Sequence, residues 1–340
     1  MNFWSAGLFD LQVNGYAGVD FNDAGITADR LDVALEAMQA SGVTLCLPTI
    51  ITAPVDVLRE RLAALDAAVT GSRLGAAMVP GYHLEGPFLN PAPGFAGCHP
   101  PEAMIDPDIA MVKGIERGLT RPILLVTLAP ERDGAVAFIG QLAERGKVVA
   151  MAHSNAGHEA VRAAVAAGMS LSTHLGNGLP QQMHKLDNPL LAQLAEPGLG
   201  ACMIADGHHM SPQALGALVR IKGVGKSILV TDAVLGAAAP AGQYVFAGMA
   251  VERTVAGAMV QPGRTNLAGS ALCLDQAVRN VVDWGIAMAE DAVAMASRNP
   301  LAAMARALAH HGIAVDPGVV RWTPDLAPSI ERPAAISRSR

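Results

Sequence analysis

Charged and aromatic residues are scarce in this sequence. Only 16% of its 340 residues are charged and 4% are aromatic, whereas 51% are hydrophobic. The formal net charge is −6, and there is no basic block beyond a short arginine-containing tail. A disordered chain is therefore disfavoured, and so is one that binds nucleic acid or an anionic membrane through its charge. The composition predicts a compact globular protein with a large core.

Cysteine is also sparse. The chain has Cys46, Cys98, Cys202 and Cys273, without any CxxC spacing. This argues against a disulfide framework and against a thiolate zinc site. The N-terminal segment lacks a basic start followed by a long apolar run, so we expect no secretion signal and a cytoplasmic protein. No apolar stretch approaches the roughly 20 residues needed to span a bilayer, so no membrane segment is expected.

Short β-rich runs alternate with helical stretches along the chain, and no linker or low-complexity tract divides them. Helical stretches such as LDVALEAMQASG have apolar residues three and four positions apart and end at Gly. This alternation predicts βα units and a parallel sheet. Strands are predicted near Leu8–Val13, Thr44–Pro48, Ala76–Glu85, Pro122–Leu128, Val148–His153, Ser170–His174, Gly200–Ala205 and Ile228–Asp232.

Eight predicted strands before two closing helices favour one α/β domain, a (β/α)8 TIM barrel over residues 1–312. A doubly wound open sheet also fits the alternation. The closing helices are predicted around Leu274–Trp284 and Asp291–Ala309, after a Gly-rich, strand-like segment from Gly236 to Gly269. Residues 313–340 contain DPG, TPD and APS. They are predicted to form an irregular tail or the remnant of a small β domain.

Polar residues occur at or just after the ends of several predicted strands. In a parallel barrel, these ends open at one mouth. Any one of these residues could be a helix cap or a satisfied core polar group, but the repeated placement indicates a functional site. The residues are Gln12, Glu85, His153, His174, His209 and Asp232.

Two imidazoles and a carboxylate suit Zn²⁺ or a similar divalent ion, and they leave a coordination position for water. We therefore predict a metal site formed by Glu85, His153 and His174. Asp232 ends the apolar run SILVT, where a buried carboxylate requires a proton partner or a cation. A general base beside an activated water meets that requirement.

The segment HLEGPFLNPAPGFAGCHP surrounds two further histidines. Its Gly and Pro residues fix a loop that returns His99 toward the mouth, where it could polarise a carbonyl or remain a surface histidine. His83 lies two residues before Glu85 on the same strand face. It is predicted to fill the barrel interior or to support the metal site.

The motifs together resemble the N-acetylglucosamine-6-phosphate deacetylase family of the amidohydrolase superfamily. The matching segments occur in the family's order between residues 7 and 310. They are DLQVNGYAGVDFND, HLEGPFLN with GCH, AHSNA, THLGNGLP, IADGHH, LVTDA and LAGS.

The resemblance implies a role for each matching residue. Glu85, His153 and His174 would hold the metal, Asp232 would be the catalytic aspartate, and His99 would contact the substrate carbonyl. The implied substrate-binding residues are His209, Asn177, Gly178, Gln12 and Lys185. Asn177 and Gly178 would contact phosphate, and Lys185 stands where an arginine usually comes from the neighbouring subunit, which implies a homodimer. Gln12 and Asn14 replace a His-x-His pair, which implies one divalent metal ion per chain, zinc by preference.

The chain departs from the family pattern in three respects, one of which is two extra residues between Glu85 and His99 that are expected to change the path of that loop. It begins almost at the first barrel strand, so the family's small β-sandwich is expected to be missing or rudimentary. The phosphate loop THLGNGLP has small residues, and the charged clamp is lysine rather than arginine. The implied function is deacetylation of N-acetylglucosamine 6-phosphate. Alternatives are an amidohydrolase for an unphosphorylated N-acetyl amino sugar or another N-acyl compound, and a non-catalytic sugar-binding descendant.

Overall fold

The computed structural model describes residues 2–263 and 266–338. Within this part of the chain the strands, in sequence order, are β1 (Phe3–Ala6), β2 (Leu8–Val13), β3 (Gly15–Tyr16), β4 (Val19–Asp20), β5 (Val43–Ile51), β6 (Tyr82–Glu85), β7 (Ile123–Leu128), β8 (Val148–Met151), β9 (Leu171–Ser172), β10 (Gly200–Met203), β11 (Ser227–Leu229), β12 (Gly242–Phe246), β13 (Met249–Arg253), β14 (Ala258–Val260), β15 (Leu267–Ser270), β16 (Ile313–Asp316), β17 (Val319–Trp322), β18 (Pro328–Arg332) and β19 (Ala335–Arg338).

The helices follow the apolar periodicity seen in the sequence. Several begin at a side chain that accepts a backbone hydrogen bond, as Asp108 and Ser211 do. They are α1 (Ala28–Ala40), α2 (Val55–Gly71), α3 (Gly75–Met78), α4 (Ile109–Glu116), α5 (Ala135–Glu144), α6 (His158–Ala167), α7 (Pro189–Ala195), α8 (Pro212–Lys222), α9 (Leu274–Asp283), α10 (Ala289–Ala296) and α11 (Arg298–His310), with short 3₁₀ turns at Pro101–Ala103 and Val224–Lys226.

Eight strands form a parallel sheet in the order β11-β10-β9-β8-β7-β6-β5-β2. Each consecutive pair along the chain is connected through at least one of the helices α1 to α8. The two strands at the ends of this order are β11 and β2. The segment that follows β11 closes the ring onto β2 through a parallel bridge between Val13 and Ala233 and a 2.9 Å hydrogen bond from Asp232 N to Gln12 O. The predicted (β/α)8 barrel is therefore confirmed.

A four-stranded antiparallel sheet, β12-β13-β14-β15, follows the last barrel strand. It corresponds to the Gly-rich, strand-like segment of the sequence. Phe246, Val251 and Met259 are fully buried on it and pack with Val234 and Leu235 from the loop after β11. This sheet is therefore fixed to the mouth of the barrel.

The prediction of an irregular tail from residue 313 is wrong. The tail contains β16 to β19, and β1 pairs antiparallel with β17 in a three-stranded sheet with β18. Trp322 is fully buried and stacks on Phe3, with ring centroids 6.2 Å apart. The pairing unites the two ends of the chain, so it could not be found from local patterns around DPG and TPD. These strands form only a small β region beside the barrel.

Three predicted elements differ in extent. The strand predicted from Ala76 begins only at Tyr82, because residues 75–78 form helix α3. The sixth predicted barrel strand is reduced to Leu171–Ser172. The helix predicted over 291–309 is interrupted at Ser297, where the backbone leaves helical values (φ −128°, ψ −76°) between α10 and α11.

None of the helices in the described ranges combines the length and apolar character that a membrane span requires.

Candidate active site

A cavity of about 880 Å³ opens at the C-terminal ends of the barrel strands. Glu85, His99, His153, His174 and Asp232 all line it. These residues come from the ends of different strands or from the loops that follow them, because a parallel barrel directs all its strand ends to one mouth. The cavity therefore brings together the predicted metal ligands, the predicted acid/base residue and His99.

Glu85 is at the centre of a compact group of imidazoles. Its Oε1 atom lies 2.8 Å from His174 Nε2 and 3.7 Å from His153 Nε2, and its Oε2 atom lies 4.0 Å from His99 Nε2. Ligand atoms of Glu85, His99 and His153 lie within 4.8 Å of one another. His99 therefore adds a fourth potential donor to the three predicted from the sequence.

The ring of His153 has a fixed orientation. Its Nδ1 atom lies 2.6 Å from the carbonyl oxygen of Phe95, to which it can donate a hydrogen bond. This leaves Nε2 as the lone-pair nitrogen facing Glu85, an arrangement common in metal-binding histidines. Gly97 and Gly178 pack against the same ring, since a Cβ atom on them would lie 2.8 Å and 2.5 Å from ring atoms.

The backbone turns sharply at three of the site residues. His153, His174 and Asp232 have φ values of 50°, 31° and 49°, in the left-handed region that few non-glycine residues adopt. Each follows the end of a barrel strand. Such strained positions concentrate at functional sites, where the surrounding structure holds them.

Glu85, His99, His153 and His174 are called the Glu85 cluster below. Burial is the largest influence on the pKa values of these four groups. It raises the pKa of Glu85 and lowers the pKa values of His99 and His174, and it lowers that of His153 to about 4. The imidazoles are therefore neutral near pH 7, which is the protonation state that binds a metal ion. A carboxylate surrounded by neutral imidazoles in a buried cavity is well suited to a divalent cation.

Asp232 follows β11, the last barrel strand, and lines the same cavity as Glu85. Burial and then the nearby Glu85 raise its pKa to about 6, whereas Asn14 lowers it. Asn14 Nδ2 donates a 2.7 Å hydrogen bond to Asp232 Oδ1. The carboxyl group is thus suited to exchange a proton near neutral pH.

The predicted substrate-binding residues have different locations. His209, Asn177 and Gly178 line the cavity. Gln12 is buried and does not line it; its amide has no hydrogen-bond partner among the described residues, although it lies close enough to Glu85 to lower the pKa of that carboxyl. Lys185 is exposed and does not line the cavity of its own chain.

His83 has the predicted interior position. It is fully buried one layer below Glu85. Its Nε2 atom lies 2.7 Å from Thr127 Oγ1 and its Nδ1 atom lies 3.2 Å from Thr49 Oγ1. Thr127 in turn contacts Thr173 Oγ1 at 2.9 Å, next to His174. This chain of hydroxyl groups supports the strands that carry Glu85 and His174.

Sequence reasoning missed Glu131, which connects two loops of the site. Its carboxylate accepts hydrogen bonds from Asn90 Nδ2 at 2.8 Å, Ser154 Oγ at 2.6 Å and Asn155 N at 2.6 Å. Ser154 directly follows His153, so Glu131 holds the loop that presents this histidine. The only signal in the sequence is its place in the loop after β7, at the same end of the barrel as the other site residues.

The chain is similar to known deacetylases over most of its length. It is 33% identical over 291 residues to an N-acetylgalactosamine-6-phosphate deacetylase of Escherichia coli, covering 86% of this chain and 75% of that protein. It is 34% identical over 294 residues to an N-acetylglucosamine-6-phosphate deacetylase of Vibrio furnissii, covering 86% and 72%. None of the family models matches the chain.

A solved structure has the same fold. The N-acetylglucosamine-6-phosphate deacetylase of Mycobacterium smegmatis, as an aspartate-to-alanine mutant in complex with N-acetyl-D-glucosamine 6-phosphate, superimposes with a TM-score of 0.83. The match covers 99% of this chain and 86% of that one, at 27% sequence identity. The barrel and its relatives define a deacetylase, a hydrolase that acts on an amide. Within that class, the chain belongs to the N-acetylglucosamine-6-phosphate deacetylase family.

Proposed function

We propose that this chain hydrolyses the acetamide of N-acetylglucosamine 6-phosphate to give glucosamine 6-phosphate and acetate. The main observation behind this proposal is that Asp232 and the Glu85 cluster line the same cavity of about 880 Å³. A non-catalytic sugar-binding protein would not require a carboxyl group whose pKa is raised to about 6 beside such a cluster. The names of the relatives support this substrate class.

The proposed cofactor is one divalent metal ion, zinc by preference, held by Glu85, His153 and His174. The mixed carboxylate and imidazole donor set fits such an ion, because His174 Nε2 and His153 Nε2 both face Glu85 Oε1, at 2.8 Å and 3.7 Å. Bound there, the ion would act as a Lewis acid on water and on the substrate carbonyl. His99, 4.0 Å from Glu85, is proposed to donate to the carbonyl oxygen as negative charge develops on it.

Asp232 is proposed to act first as base and then as acid. As the base, it accepts a proton from the attacking water. It then delivers that proton to the departing nitrogen, because an amide nitrogen leaves poorly as an anion. The 2.7 Å hydrogen bond from Asn14 holds one carboxylate oxygen, which leaves the other for proton transfer.

The sugar and phosphate would occupy the part of the cavity lined by His209, Asn177 and Gly178. Backbone N–H groups of this glycine-containing loop can contact phosphate at close range. Because Lys185 is exposed and does not reach the cavity of its own chain, we propose that it acts in a homodimer on the neighbouring site. The cytoplasmic location and the division into barrel (1–312) and tail (313–340) stay predictions.

Acetate release from the purified protein tests the proposal. The panel contains the 6-phosphates of N-acetylglucosamine and N-acetylgalactosamine, unphosphorylated N-acetylglucosamine, and an N-acetyl amino acid. Both phosphosugars belong in it because relatives are named for each. We expect the highest kcat/KM with N-acetylglucosamine 6-phosphate. Equal rates with the unphosphorylated sugar would move the assignment to the unphosphorylated compound, and no acetate from any compound would contradict the proposal.

A further inference from the structure

Asp206 anchors the loop that follows β10. Its Oδ1 atom accepts hydrogen bonds from the backbone nitrogens of His208 and His209, each at 2.9 Å. Its Oδ2 atom lies 2.7 Å from His209 Nδ1. One carboxylate therefore makes two kinds of contact: Oδ1 holds the loop backbone, and Oδ2 holds the imidazole.

The contact between Asp206 and His209 fixes the position of a proton. Burial alone would raise the pKa of Asp206, but the hydrogen bonds from His209 outweigh it and hold the pKa below its usual range. An ionised carboxylate only accepts hydrogen bonds, so His209 Nδ1 must carry the proton. In the neutral ring, Nε2 is then an acceptor.

The two residues lie on different sides of the loop. His209 lines the catalytic cavity, whereas Asp206 lines a separate cavity of about 500 Å³ next to it. The Nε2 atom of His209 has no hydrogen-bond partner among residues 2–263 and 266–338. The nitrogen that Asp206 leaves free therefore belongs to the ring that lines the catalytic cavity.

We propose that Asp206 is a positioning residue that keeps His209 in its Nδ1–H tautomer, so that Nε2 accepts a hydrogen bond from a hydroxyl group of the bound sugar. The identification of the ligand as a sugar rests on the proposed function, whereas the tautomer of His209 follows from its contact with Asp206 alone. Nothing in the mechanism proposed above uses Asp206.

The substitution Asp206→Asn reverses the tautomer without releasing the loop. The amide oxygen must stay where Oδ1 is, because it accepts from two backbone N–H groups. The amide nitrogen then replaces Oδ2 opposite His209 Nδ1. As an amide nitrogen only donates, Nδ1 becomes the acceptor and the proton moves to Nε2.

Nitrogen NMR of histidine-labelled protein measures this directly, with His209 assigned by the signal lost in His209→Gln. In the wild type we expect Nε2 to be the nitrogen without a proton at high pH, and in Asp206→Asn we expect it to be Nδ1. The control Asp108→Asn makes the same chemical change at a helix cap that lines neither of the two cavities, and it should leave the His209 signal unchanged. A wild-type ring that lacks the Nδ1 proton would overturn the proposal, even if the variant did not fold.

A double-mutant cycle then tests whether Asp206 acts through His209. We expect Asp206→Asn to lower kcat/KM roughly tenfold, mainly through KM, with unchanged metal content, because one hydrogen bond to substrate is lost. In the His209→Gln background, the same substitution should have almost no further effect. Additive losses would show that Asp206 acts elsewhere. If no sugar is hydrolysed at all, the proposed function fails while the NMR result still decides the tautomer.

Discussion

Asn14 Nδ2 donates a 2.7 Å hydrogen bond to Asp232 Oδ1 across the seam where the last barrel strand meets the first. An amide N–H stabilises the charged form of a carboxyl group, and Asn14 accordingly lowers the pKa of Asp232 while burial raises it to about 6. Asn14, just after the end of the first barrel strand, therefore acts on Asp232, and it is not among the proposed metal ligands.

Asn14→Leu should therefore shift the pH dependence of the reaction. A base must be deprotonated to act, so kcat/KM rises with pH through the pKa of Asp232. Without the Asn14 amide that pKa rises, and the acid limb of the kcat/KM profile should move up by about one pH unit, the equivalent of one hydrogen bond.

Asn299→Leu is a matched control for the pH profile. Its amide donates to the carbonyl oxygens of Val224 and Ser227, and Asn299 does not line the catalytic cavity. This variant should keep the wild-type profile. If the acid limb of the kcat/KM profile does not move in Asn14→Leu, the pKa of Asp232 does not determine that limb.

Two ligand sets can be separated by metal analysis. We expect His153→Ala and His174→Ala to lose the ion, and His99→Ala to retain about one ion per chain while losing activity, because His99 is assigned to the carbonyl. Metal content of each dialysed variant checks this. If His99→Ala loses the ion and His174→Ala keeps it, the ligands are instead the Glu85, His99 and His153 group whose donor atoms lie within 4.8 Å. Two tightly bound ions per chain would contradict the single-metal assignment.

Gly178→Ala should lower metal occupancy without removing any ligand. The new Cβ atom would lie 2.5 Å from His153 Nδ1, so the ring must move from its contact with Phe95 O. Gly176→Ala is the matched control: its φ of 93° is also left-handed, but its nearest neighbour is the flexible end of Met210 at 3.2 Å. Equal metal loss in both variants would assign the effect to backbone strain instead of the ring.

With the exception of Gln12, the strand-end pattern predicted side chains that meet in one cavity, because barrel geometry is simple. Glu85, His153, His174 and Asp232 lie at or just after the ends of buried strands, and parallel strands in a closed ring direct their ends to one mouth. His99 was harder to place from the sequence, since its position depends on the path of a long loop.

Contacts between loops could not be predicted. Glu131 and Asp206 act through backbone nitrogens and side chains whose approach depends on how each loop folds. The pairing of Phe3 with Trp322 was missed for a similar reason, because the partners lie at opposite ends of the chain. Local periodicity reports the burial of one segment and carries no information about such distant partners.

Asp10 should make stability depend on pH. Burial raises its pKa to about 7, above the ordinary value near 3.8. Below about pH 4 the group is protonated in both the folded and unfolded chain. Between about pH 4 and pH 7 the unfolded chain loses this proton while the folded chain keeps it, so the free energy of unfolding falls as pH rises. The stability lost in this pH range does not return at higher pH.

Asp10→Asn should flatten this dependence. Its amide reproduces the protonated group: the oxygen can accept from Gln12 N and Thr231 N, and the nitrogen can donate to Thr231 Oγ1, which then donates to Gln12 O. Thermal unfolding between about pH 5 and pH 8 checks it. A wild-type midpoint that falls no more than that of the variant would contradict the prediction.

Lys185 should act on the neighbouring subunit, and mixed dimers can show it. Lys185 is exposed and outside the cavity of its own chain. Lys185→Ala should lower kcat/KM for N-acetylglucosamine 6-phosphate roughly ten- to a hundredfold, the effect of one charge-assisted contact, and leave the unphosphorylated sugar nearly unaffected.

Asp232→Asn should lower kcat by roughly 10² to 10⁴. In a dimer of one Lys185→Ala chain and one Asp232→Asn chain, the first chain keeps Asp232 and receives Lys185 from its partner, which restores one complete site. Co-refolding equal amounts should therefore return about a quarter of wild-type activity, since about half of the dimers are mixed and each has one working site. Mixing without such a gain, or a fully active protein that sediments as a monomer, would place Lys185 outside any shared site.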